Sequence, residues 1–557
     1  MRRAVSARSI RVRSLCGLLA AACLVQIAGA ARAAERQVLL VAGVDSYADL
    51  KRQLGWFGTQ IDNPGLAAMF ESLIMLSTQG RGLAGLDVKR PAGVVVTSDG
   101  TDLGAHGFVP VKDLDKLLTS LQGIIGPVAK DGASRRVTLP SGITLSITDR
   151  DGWAVIAPPG LEAADPAPLL DALAKDFTVG IEAFPSRMSD AVRKQLEAAL
   201  DQAAAASAAQ GQPMDPGALK AALGGLKQTE SLSLGLGIDD TAGEVFVENR
   251  AVSLPGSVSA AAFEAAGTGT LTVGTPPPAA GERPALRGYI AQAIPEAARG
   301  QFLEALDQTL PREADDPLTR TLSRLVYDLL SATLAAGGID AALAVDTSRA
   351  TKDKPLPAVT AGVRVKDGAA LERQVKQAFS AGNGAGLPGV KASFDSGKAG
   401  GATLHTISVD VADEELAARI GNSLDLTLAV APNYALVLAG GDAAARAEAA
   451  LAASGRPVDD AKPIASLRAS AAPMLEYVDT LAGEGPAAKG GGAAREAGGG
   501  AVELRVAPIE RGVATRLSID SGALKAGAAM AAPERPVGPG GIPLPEVPPG
   551  FPIPLPR

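Results

Sequence analysis

The sequence predicts an α+β protein with two homologous units, each a curved antiparallel sheet with helices packed on one side. Predicted hairpins outnumber βαβ crossovers, which favours antiparallel over parallel sheet. Predicted strands also alternate: Leu424, Leu426 and Leu428 face one way, and Asp425 and Thr427 face the other. Such alternation is typical of a sheet with one buried and one wetter face. The third observation is that one order of elements occurs in both halves of the chain.

The two halves share a series of matching apolar positions. Val109–Asp113 and Val363–Asp367 both read V-x-V-K-D, and each leads into apolar residues at helical spacing. Further matches are Ile143, Leu145, Ile147, Trp153 and Val155 with Leu424, Leu426, Leu428, Tyr434 and Leu436, then Ile181, Met188 and Val192 with Leu467, Met474 and Val478. The offset grows from 254 to 281 to 286, as expected of a duplicated unit that gained loop residues. Repeated apolar positions are predicted to be core positions, and the halves are predicted to superpose.

Composition divides the chain into five segments. We predict a signal peptide at 1–33, a first α+β unit at 35–273, a Pro-rich linker at 274–285, a second α+β unit at 286–530 and a Pro-rich disordered tail at 531–557. The tail alternates prolines with apolar residues, so it can neither join a sheet interior nor continue a helix. Its removal is therefore predicted to leave stability unchanged.

The N-terminal segment has the three parts of a secretory signal. Five arginines precede an apolar run from Leu15 to Ala28, and Ala31-Arg32-Ala33 supplies a small-x-small cleavage site. The apolar run is too short for a stable membrane span, which leaves no transmembrane segment in the mature chain. We expect a periplasmic or extracellular protein. Lipidation at Cys23 is the alternative, because Ala20 to Cys23 loosely matches a lipobox.

Cysteine usage and charge exclude several classes of site. Both cysteines, Cys16 and Cys23, lie in the predicted signal peptide, so the mature chain is expected to have no disulfide, zinc–thiolate site or cysteine nucleophile. The full chain carries a net charge of −7. Cleavage removes six arginines and gives 47 basic against 60 acidic residues, a net of −13. That sign disfavours nucleic acid as a partner.

In the first unit, periodicity and turn residues predict most elements. Asp45 is the expected N-cap of the first helix, and Asn63-Pro64 is expected to open the second. The full series is a strand at 37–44, these two helices, a hairpin of 94–98 and 103–111 turning at Asp99-Gly100, a helix from Asp113, hairpins around 140–142 and 149–152, a strand at 177–184, a helix from Ser189 and strands at 232–238 and 244–252.

The second unit gives a parallel series. It comprises helices at 296–310 and 318–336, strands at 339–346 and 358–366, a helix from Asp367, strands at 402–411, 424–430 and 434–439, a helix at 473–482 and a hairpin of 502–508 and 512–519. Residues 484–500 are rich in Gly and Ala and are expected to be mobile.

Two histidines are the complete set of this residue type, and they lie in different halves. A metal site that needs two histidines at helical spacing is therefore excluded. His405 shares strand parity with Ile407 and Val409, which favours a position at the edge of a core face over a catalytic dyad. His106 lies near a hairpin and is no better a candidate.

Other motifs have a stronger structural than functional interpretation. Two G-x-G-x-x-G matches, at 80–85 and 384–389, lack the strand-to-helix context of a dinucleotide site. Asp149 to Gly152 has the chemistry of a turn and lacks the terminal glutamate of a calcium loop. Lys112-Asp113 and Lys366-Asp367 could form two ion sites, but an aspartate at a strand-to-helix junction favours an N-cap. Trp56-Phe57 could stack a ligand or fill a core.

The whole mature chain resembles secreted planctomycete-type bacterial proteins of uncharacterised activity. The resemblance rests on the signal peptide, the duplicated α+β unit, the V-x-V-K-D junctions at 109–113 and 363–367, and the proline-rich tail. It implies export and this domain plan. It brings no cofactor and no catalytic residue.

These observations lead to one expectation and two alternatives. The sequence assigns no catalytic, cofactor-binding or metal-binding residue, and no serine-hydrolase elbow or phosphate-binding loop is present. We therefore expect a non-enzymatic exported binding or structural protein of the cell envelope. The alternatives are a periplasmic carrier of an apolar ligand and a carboxylate-dependent hydrolase. The expected partner is an envelope component or an apolar ligand.

Overall fold

The fold is taken from a computed structural model of the chain. It describes residues 36–139, 142–161, 165–209, 226–276, 284–309, 317–381, 389–411, 414, 417, 421–455, 463–482 and 485–532. The predicted signal peptide and residues 533–557 of the predicted tail lie outside these residues, as do parts of the predicted linker. Ala531, the first residue of the predicted disordered tail, instead ends a helix.

The first half begins with a strand and two helices. Its strands are β1 (Gln37–Val44), β2 (Ala92–Ser98), β3 (Leu103–Pro110), β4 (Val128–Asp131), β5 (Ser134–Thr138), β6 (Thr144–Arg150), β7 (Trp153–Ala157), β8 (Val179–Ala183), β9 (Thr229–Asp239) and β10 (Glu244–Ser253). Its helices are α1 (Tyr47–Gln60), α2 (Leu66–Ser77), α3 (Leu114–Ile125), α4 (Ala167–Asp176), α5 (Asp190–Ala209) and α6 (Val258–Ala266).

Among the described residues, the second half follows the same order with one extra helix. Its strands are β11 (Leu286–Ala293), β12 (Gly338–Asp346), β13 (Ala358–Arg364), β14 (Val390–Ala399), β15 (Ala402–Asp410), β16 (Ser423–Val430), β17 (Tyr434–Ala439), β18 (Ala465–Ser470), β19 (Ala501–Ile509) and β20 (Gly512–Asp520). Its helices are α7 (Glu296–Thr309), α8 (Pro317–Ala335), α9 (Gly368–Ala381), α10 (Ala443–Ala453), α11 (Ala471–Ala482), α12 (Pro486–Glu496) and α13 (Ser521–Ala531).

All the strands pair antiparallel in one sheet. The pairings run β4-β5-β6-β7-β3-β2-β1-β8-β9-β10-β20-β19-β18-β11-β12-β13-β17-β16-β15-β14. The two halves of this order are mirror images. β4 at one end corresponds to β14 at the other, and each following strand corresponds in turn until β10 meets β20. Helices packed on a fully antiparallel sheet confirm the predicted α+β class.

The register of the two halves follows the offsets found in the sequence. Val109 pairs with Ala154, and the positions 254 and 281 residues later, Val363 and Ala435, also pair. Ile181 pairs with Leu234, and its sequence match Leu467 pairs with Leu504. The matched segments thus occupy the same place in the same topology. Descent of the halves by duplication stays a prediction, which superposition of their coordinates tests.

The halves meet where β10 pairs with β20. Nine consecutive residue pairs join the strands, from Glu244 with Asp520 to Val252 with Gly512. The middle pair is Glu248 with Arg516, which also form an ion pair at 3.4 Å. Because the two strands are counterparts, the seam defines a local two-fold axis perpendicular to the sheet.

Helices lie against both faces of the sheet, which corrects the predicted one-sided packing. On β7, Trp153 and Val155 join the core that contains Leu170 and Leu173 of α4. Ala154 points the other way and joins the core formed by α3. The second half repeats this, with α10 and α9 on opposite faces of β17. A short, fully apolar strand such as β7 is buried on both sides. The alternation of apolar and polar residues that predicted one buried face is absent from such a strand.

Trp153 is 2% exposed and contacts Phe108 edge-on at 6.3 Å, with the Arg90 guanidinium 4.2 Å from its ring centroid. Its counterpart Tyr434 is half-buried, and its hydroxyl lies 3.3 Å from the Thr272 hydroxyl. Both residues open the second strand of their hairpins, as predicted, but only Trp153 is fully buried.

Two of the predicted helix starts are confirmed and two are wrong. Asp113 accepts the Lys116 amide at 3.0 Å and Asp367 accepts the Ala370 amide at 2.9 Å, so both are N-caps. The first helix is capped by Ser46 rather than Asp45, because the Ser46 hydroxyl reaches the Asp49 amide at 3.1 Å. The second helix begins at Leu66 rather than at Pro64.

The Gly/Ala-rich stretch expected to be mobile contains α12. Its glycines permit close packing: a Cβ on Gly490 would lie 2.7 Å from Met530 of α13. Ala494, Ala472 and Ala526 form the small core that joins α12 to α11 and α13. Gly and Ala thus allow these helices to pack closely. A Gly/Ala-rich composition alone does not distinguish such a helix from a mobile loop.

The chain passes between the halves through a segment fixed by a buried carboxylate. Asp340 of β12 accepts the amides of Thr272 and Val273 at 3.0 and 3.2 Å and also the Thr272 hydroxyl. Val273 and Leu271 are buried against β11 and β12. The residues just before the predicted 274–285 linker are therefore anchored on the second half.

We expect Trp153→Ala to lower the free energy of unfolding by about 3–5 kcal/mol, because it empties a large buried aromatic site. Tyr434→Ala, at the half-buried counterpart, should cost less. Denaturant titration of both variants measures the difference. An unchanged midpoint for Trp153→Ala would contradict the burial of this ring.

We expect a pH-dependent loss of stability from Asp99→Asn in the β2–β3 turn. Hydrogen bonds from the amides of Asp102 and Thr101, with Arg36 nearby, lower the pKa of Asp99 to about 2. A lowered carboxyl pKa stabilises the fold above the unfolded value near 4, and this stabilisation is lost as pH falls towards 2. The variant should therefore be about 1–2 kcal/mol less stable at pH 7.

The gap between wild type and Asp99→Asn should narrow between pH 5 and pH 3 in urea titrations. Asp62→Asn, at an exposed position, is the control and should follow wild type throughout. A gap that stays constant with pH would show that the Asp99 charge does not support the turn.

Candidate functional site

The strands nearest the seam expose an apolar face. Eight of them, β1, β8, β9, β10, β20, β19, β18 and β11, place two cross-strand rows of side chains on one side of the sheet. We call these rows the apolar face. One row is Val44, Val179, Leu236, Val247, Leu517, Leu504, Leu467 and Gly288, and the other is Ala42, Ile181, Leu234, Asn249, Thr515, Val506, Ala465 and Ile290.

The side chains of the apolar face are half-buried to exposed, and Gly288 is its one buried member. Leu234 is 52% exposed, and the other large side chains near the seam, Val247 and Leu517, are 44% and 42% exposed. Neither row contains a charged residue, and Asn249 and Thr515 are its two polar side chains. A strand spacing of about 4.8 Å makes the face roughly 34 Å wide. With the flanking row that contains Val502, its area is roughly 700 Å², above the usual largest patch of a monomer.

The opposite side of the same strands carries the charges. Glu248 is buried there and forms ion pairs with Arg250 at 2.5 Å and with Arg516 at 3.4 Å. The Arg516 guanidinium stacks 3.4 Å from the ring centroid of buried Phe246. This polarity is the reverse of the usual arrangement, in which charges face water and aliphatic residues face the core.

The sequence predicts core positions for some of these exposed residues. Leu467 and Val478 belong to the matched apolar series, yet each is 42% exposed. The period-2 pattern shows that residues share a face, but not whether that face is covered. A usable signal was present in β10, where Glu248 and Arg250 occupy the parity opposite to Val247.

A second candidate is a polar cluster at a bulge in β14. Three residues, Phe394 to Ser396, bulge opposite His405, and Asp395 adopts φ of 53°. The Asp395 amide donates to His405 Nδ1 at 3.1 Å, and Glu372 Oε1 lies 3.6 Å from His405 Nε2. Lys376 Nζ bridges Glu372 and Asp395 at 2.8 and 2.9 Å. The carboxylates and the imidazole are close enough together to hold a metal ion.

Proton placement argues against a metal in this cluster. Because Nδ1 accepts the Asp395 amide, the neutral ring carries its proton on Nε2. A metal on Nε2 would move that proton to Nδ1, opposite the amide hydrogen. The Lys376 ammonium also already forms ion pairs with both carboxylates. Burial lowers the pKa of His405, and the hydrogen bond from Lys376 lowers the pKa of Asp395. The cluster is best assigned to holding the bulge.

The remaining sequence candidates have structural positions. His106 is fully buried on β3 beside Phe108. Gly85, in the first glycine motif, accepts the amides of Lys112 and Asp113 through its carbonyl and so supports the start of α3. Asp151 and Gly152 have φ of 52° and 76°, which forms the predicted turn. Trp56 and Phe57 are half-buried, and the second glycine motif lies largely outside the described residues.

Among the described helices, none has the length and apolar character needed to cross a membrane. On α2, however, three large apolar side chains are at least half exposed: Met69 at 53%, Leu73 at 50% and Leu76 at 78%. It is a second exposed apolar element, smaller than the apolar face.

We expect the stability of the wild-type protein to fall as pH drops below about 6.5, partly through His405. Burial lowers the pKa of His405 in the folded state. Below about pH 6.5 the unfolded chain therefore binds a proton at this residue that the folded chain does not, which favours unfolding. His405→Asn keeps an acceptor near the Asp395 amide but removes the titration. Unfolding at pH 7 and pH 5 should therefore show a smaller pH effect for the variant, and an equal effect would contradict this role.

Comparison with known proteins gives no relative: no protein family, curated protein or solved structure matches this chain.

Proposed function

We propose that the protein is a non-enzymatic exported protein of the bacterial cell envelope, with a binding or structural role carried by the apolar face. The observation that supports this most strongly is a contiguous, uncharged aliphatic surface across eight strands. Surfaces of this kind are typical of interaction sites. Export is the part of the proposal that rests on the signal peptide expected at 1–33.

The polar groups near candidate catalytic positions support a role without chemistry. Asp113 and Asp367 are used as helix caps, and Asp340 anchors the segment between the halves. Glu372 and Asp395 are both bonded to Lys376. A carboxylate-dependent hydrolase would need a carboxylate pair free to contact substrate, so it stays the weaker alternative.

A carrier of an apolar ligand is the second candidate, because the same face would supply its contacts. Carriers normally enclose most of the ligand surface in a concave pocket. The apolar face lies open, with Val179 and Leu467 each 42% exposed. It would therefore cover an acyl chain from one side, which favours a broad partner over a small ligand.

The test is native mass spectrometry of the full chain isolated from its own host. Wild type is expected to carry additional mass, because the apolar face is occupied in the cell. Leu236→Asp with Leu504→Asp places two charges on the face without changing the core, and this variant should show the mass of one chain. Ala129→Asp, at an exposed site on the outermost strand β4, is the matched control and should behave like wild type.

Wild type that is isolated as a single chain with no added mass would contradict the proposed binding role. Hydrolysis of an ester or glycoside that is lost on replacement of one Asp or Glu would instead support the enzyme alternative.

A further inference from the structure

We infer that the apolar face is covered by the same face of a second copy of this chain. The inference rests on the proposed function and specifies the partner. A soluble exported chain that left roughly 700 Å² of aliphatic surface bare would aggregate, so the face must be covered whenever the protein is present. A second copy is the one partner that is always available in equal amount.

The local symmetry of the face suits pairing with itself. The two rows of the apolar face exchange when each residue is replaced by its counterpart: Val247 and Leu517 in one row correspond to Thr515 and Asn249 in the other. The axis passes between these four residues. The interface of a two-fold dimer is isologous: if a residue of one copy contacts a second residue of the partner, the second residue of the first copy contacts the first residue of the partner. Because the two rows of the apolar face are equivalent about the local axis, a partner rotated by half a turn about that axis would make equivalent contacts.

Area and charge also agree with a second copy. A standard interface buries about 800 Å² on each partner, close to the estimated size of the face. Each chain has a net charge of −7, which would oppose self-association through a charged surface. Along these strands, however, Glu248, Arg250 and Arg516 all point to the other side. Pairing through the apolar face therefore brings no like charges together.

Helices border the centre of the apolar face. α6 contacts β10, β20, β19 and β11, and α13 contacts β20 and β19, so a partner must fit between these two helices. α3 and α9 lie on the same side as the apolar face, because they pack on Ala154 and Ala435, which share that side. They cover β7 and β17, each about 31 Å from the local axis at 4.8 Å per strand. The central strands are about 30 Å long, so a large crossing angle lets the α3 and α9 helices of one copy clear the strand ends of the other.

The predicted proline-rich tail is a poorer fit to this surface. Polyproline segments are recognised by grooves lined with aromatic rings. Neither row of the apolar face contains an aromatic residue. The aliphatic side chains of a second sheet are better matched to it.

Analytical ultracentrifugation of the full chain at micromolar concentration tests the inference. Wild type should sediment as two chains. Leu517→Asp, beside the local axis, should weaken dimerisation at least about 100-fold, because it buries unpaired carboxylates at the centre of the interface. Ala129→Asp, on the outermost strand β4, should leave the dimer intact.

A cross-linking experiment locates the contact. In a Cys16→Ser, Cys23→Ser background the chain has no other thiol, so Asn249→Cys supplies one reactive group per copy next to the axis. A short bismaleimide should then yield covalent dimers, whereas Ala129→Cys, on the outermost strand β4, should not. Circular dichroism of each variant checks that it is folded.

A wild-type chain that sediments as a monomer, or a dimer that Leu517→Asp leaves unchanged, would overturn the inference. If the native mass spectrum then showed bound lipid on wild type and none on the Leu236→Asp, Leu504→Asp variant, the proposed binding role would stand while the second copy would be excluded as its partner.

Discussion

The pairing of β10 with β20 is the contact on which the rest of the architecture depends. Nine residue pairs join two ten-strand halves into one sheet, and the Glu248–Arg516 pair lies at their centre. Without this seam each half would end in a long open edge strand. The seam also places the exposed residues of both halves on one continuous surface. The extent of the apolar face, its symmetry and its lack of charge all follow from the way these two strands meet.

The strands around the seam invert the usual polarity of a sheet. A sheet normally gains stability because its aliphatic side is covered and its polar side meets water. Here Glu248 and Phe246 are the buried residues, and Leu234, Val247 and Leu517 meet solvent. The guanidinium of Arg516 makes this possible, since it stacks on Phe246 and also pairs with Glu248. The covered side is thus held by paired charges over an aromatic ring, which leaves the aliphatic side free for association.

Sequence reasoning predicted many of the strands and helices but not the exposure of their surfaces, and it missed α4, α6, α10, α13, β4, β11, β14 and β18. The matches of Val109 with Val363 and of Trp153 with Tyr434 found strands that do occupy equivalent places, because apolar spacing and caps are local properties. It failed at Leu467, because exposure depends on which distant strands and helices cover a face. The α12 helix was missed for a related reason: Gly490 lowers helix propensity, and only its contact with Met530 explains why it is there.

The bulge in β14 has a further consequence for the ends of the sheet. β14 and β4 are the outermost strands among the described residues, so they carry the unpaired backbone groups that invite other chains to add as new strands. The three-residue bulge at Asp395 breaks the regular edge of β14, and exposed Lys391 adds charge. β4 is only four residues long and ends in exposed Lys130 and Asp131. The edges of this broad sheet are thereby protected against the addition of further strands, which would extend it sideways into fibres.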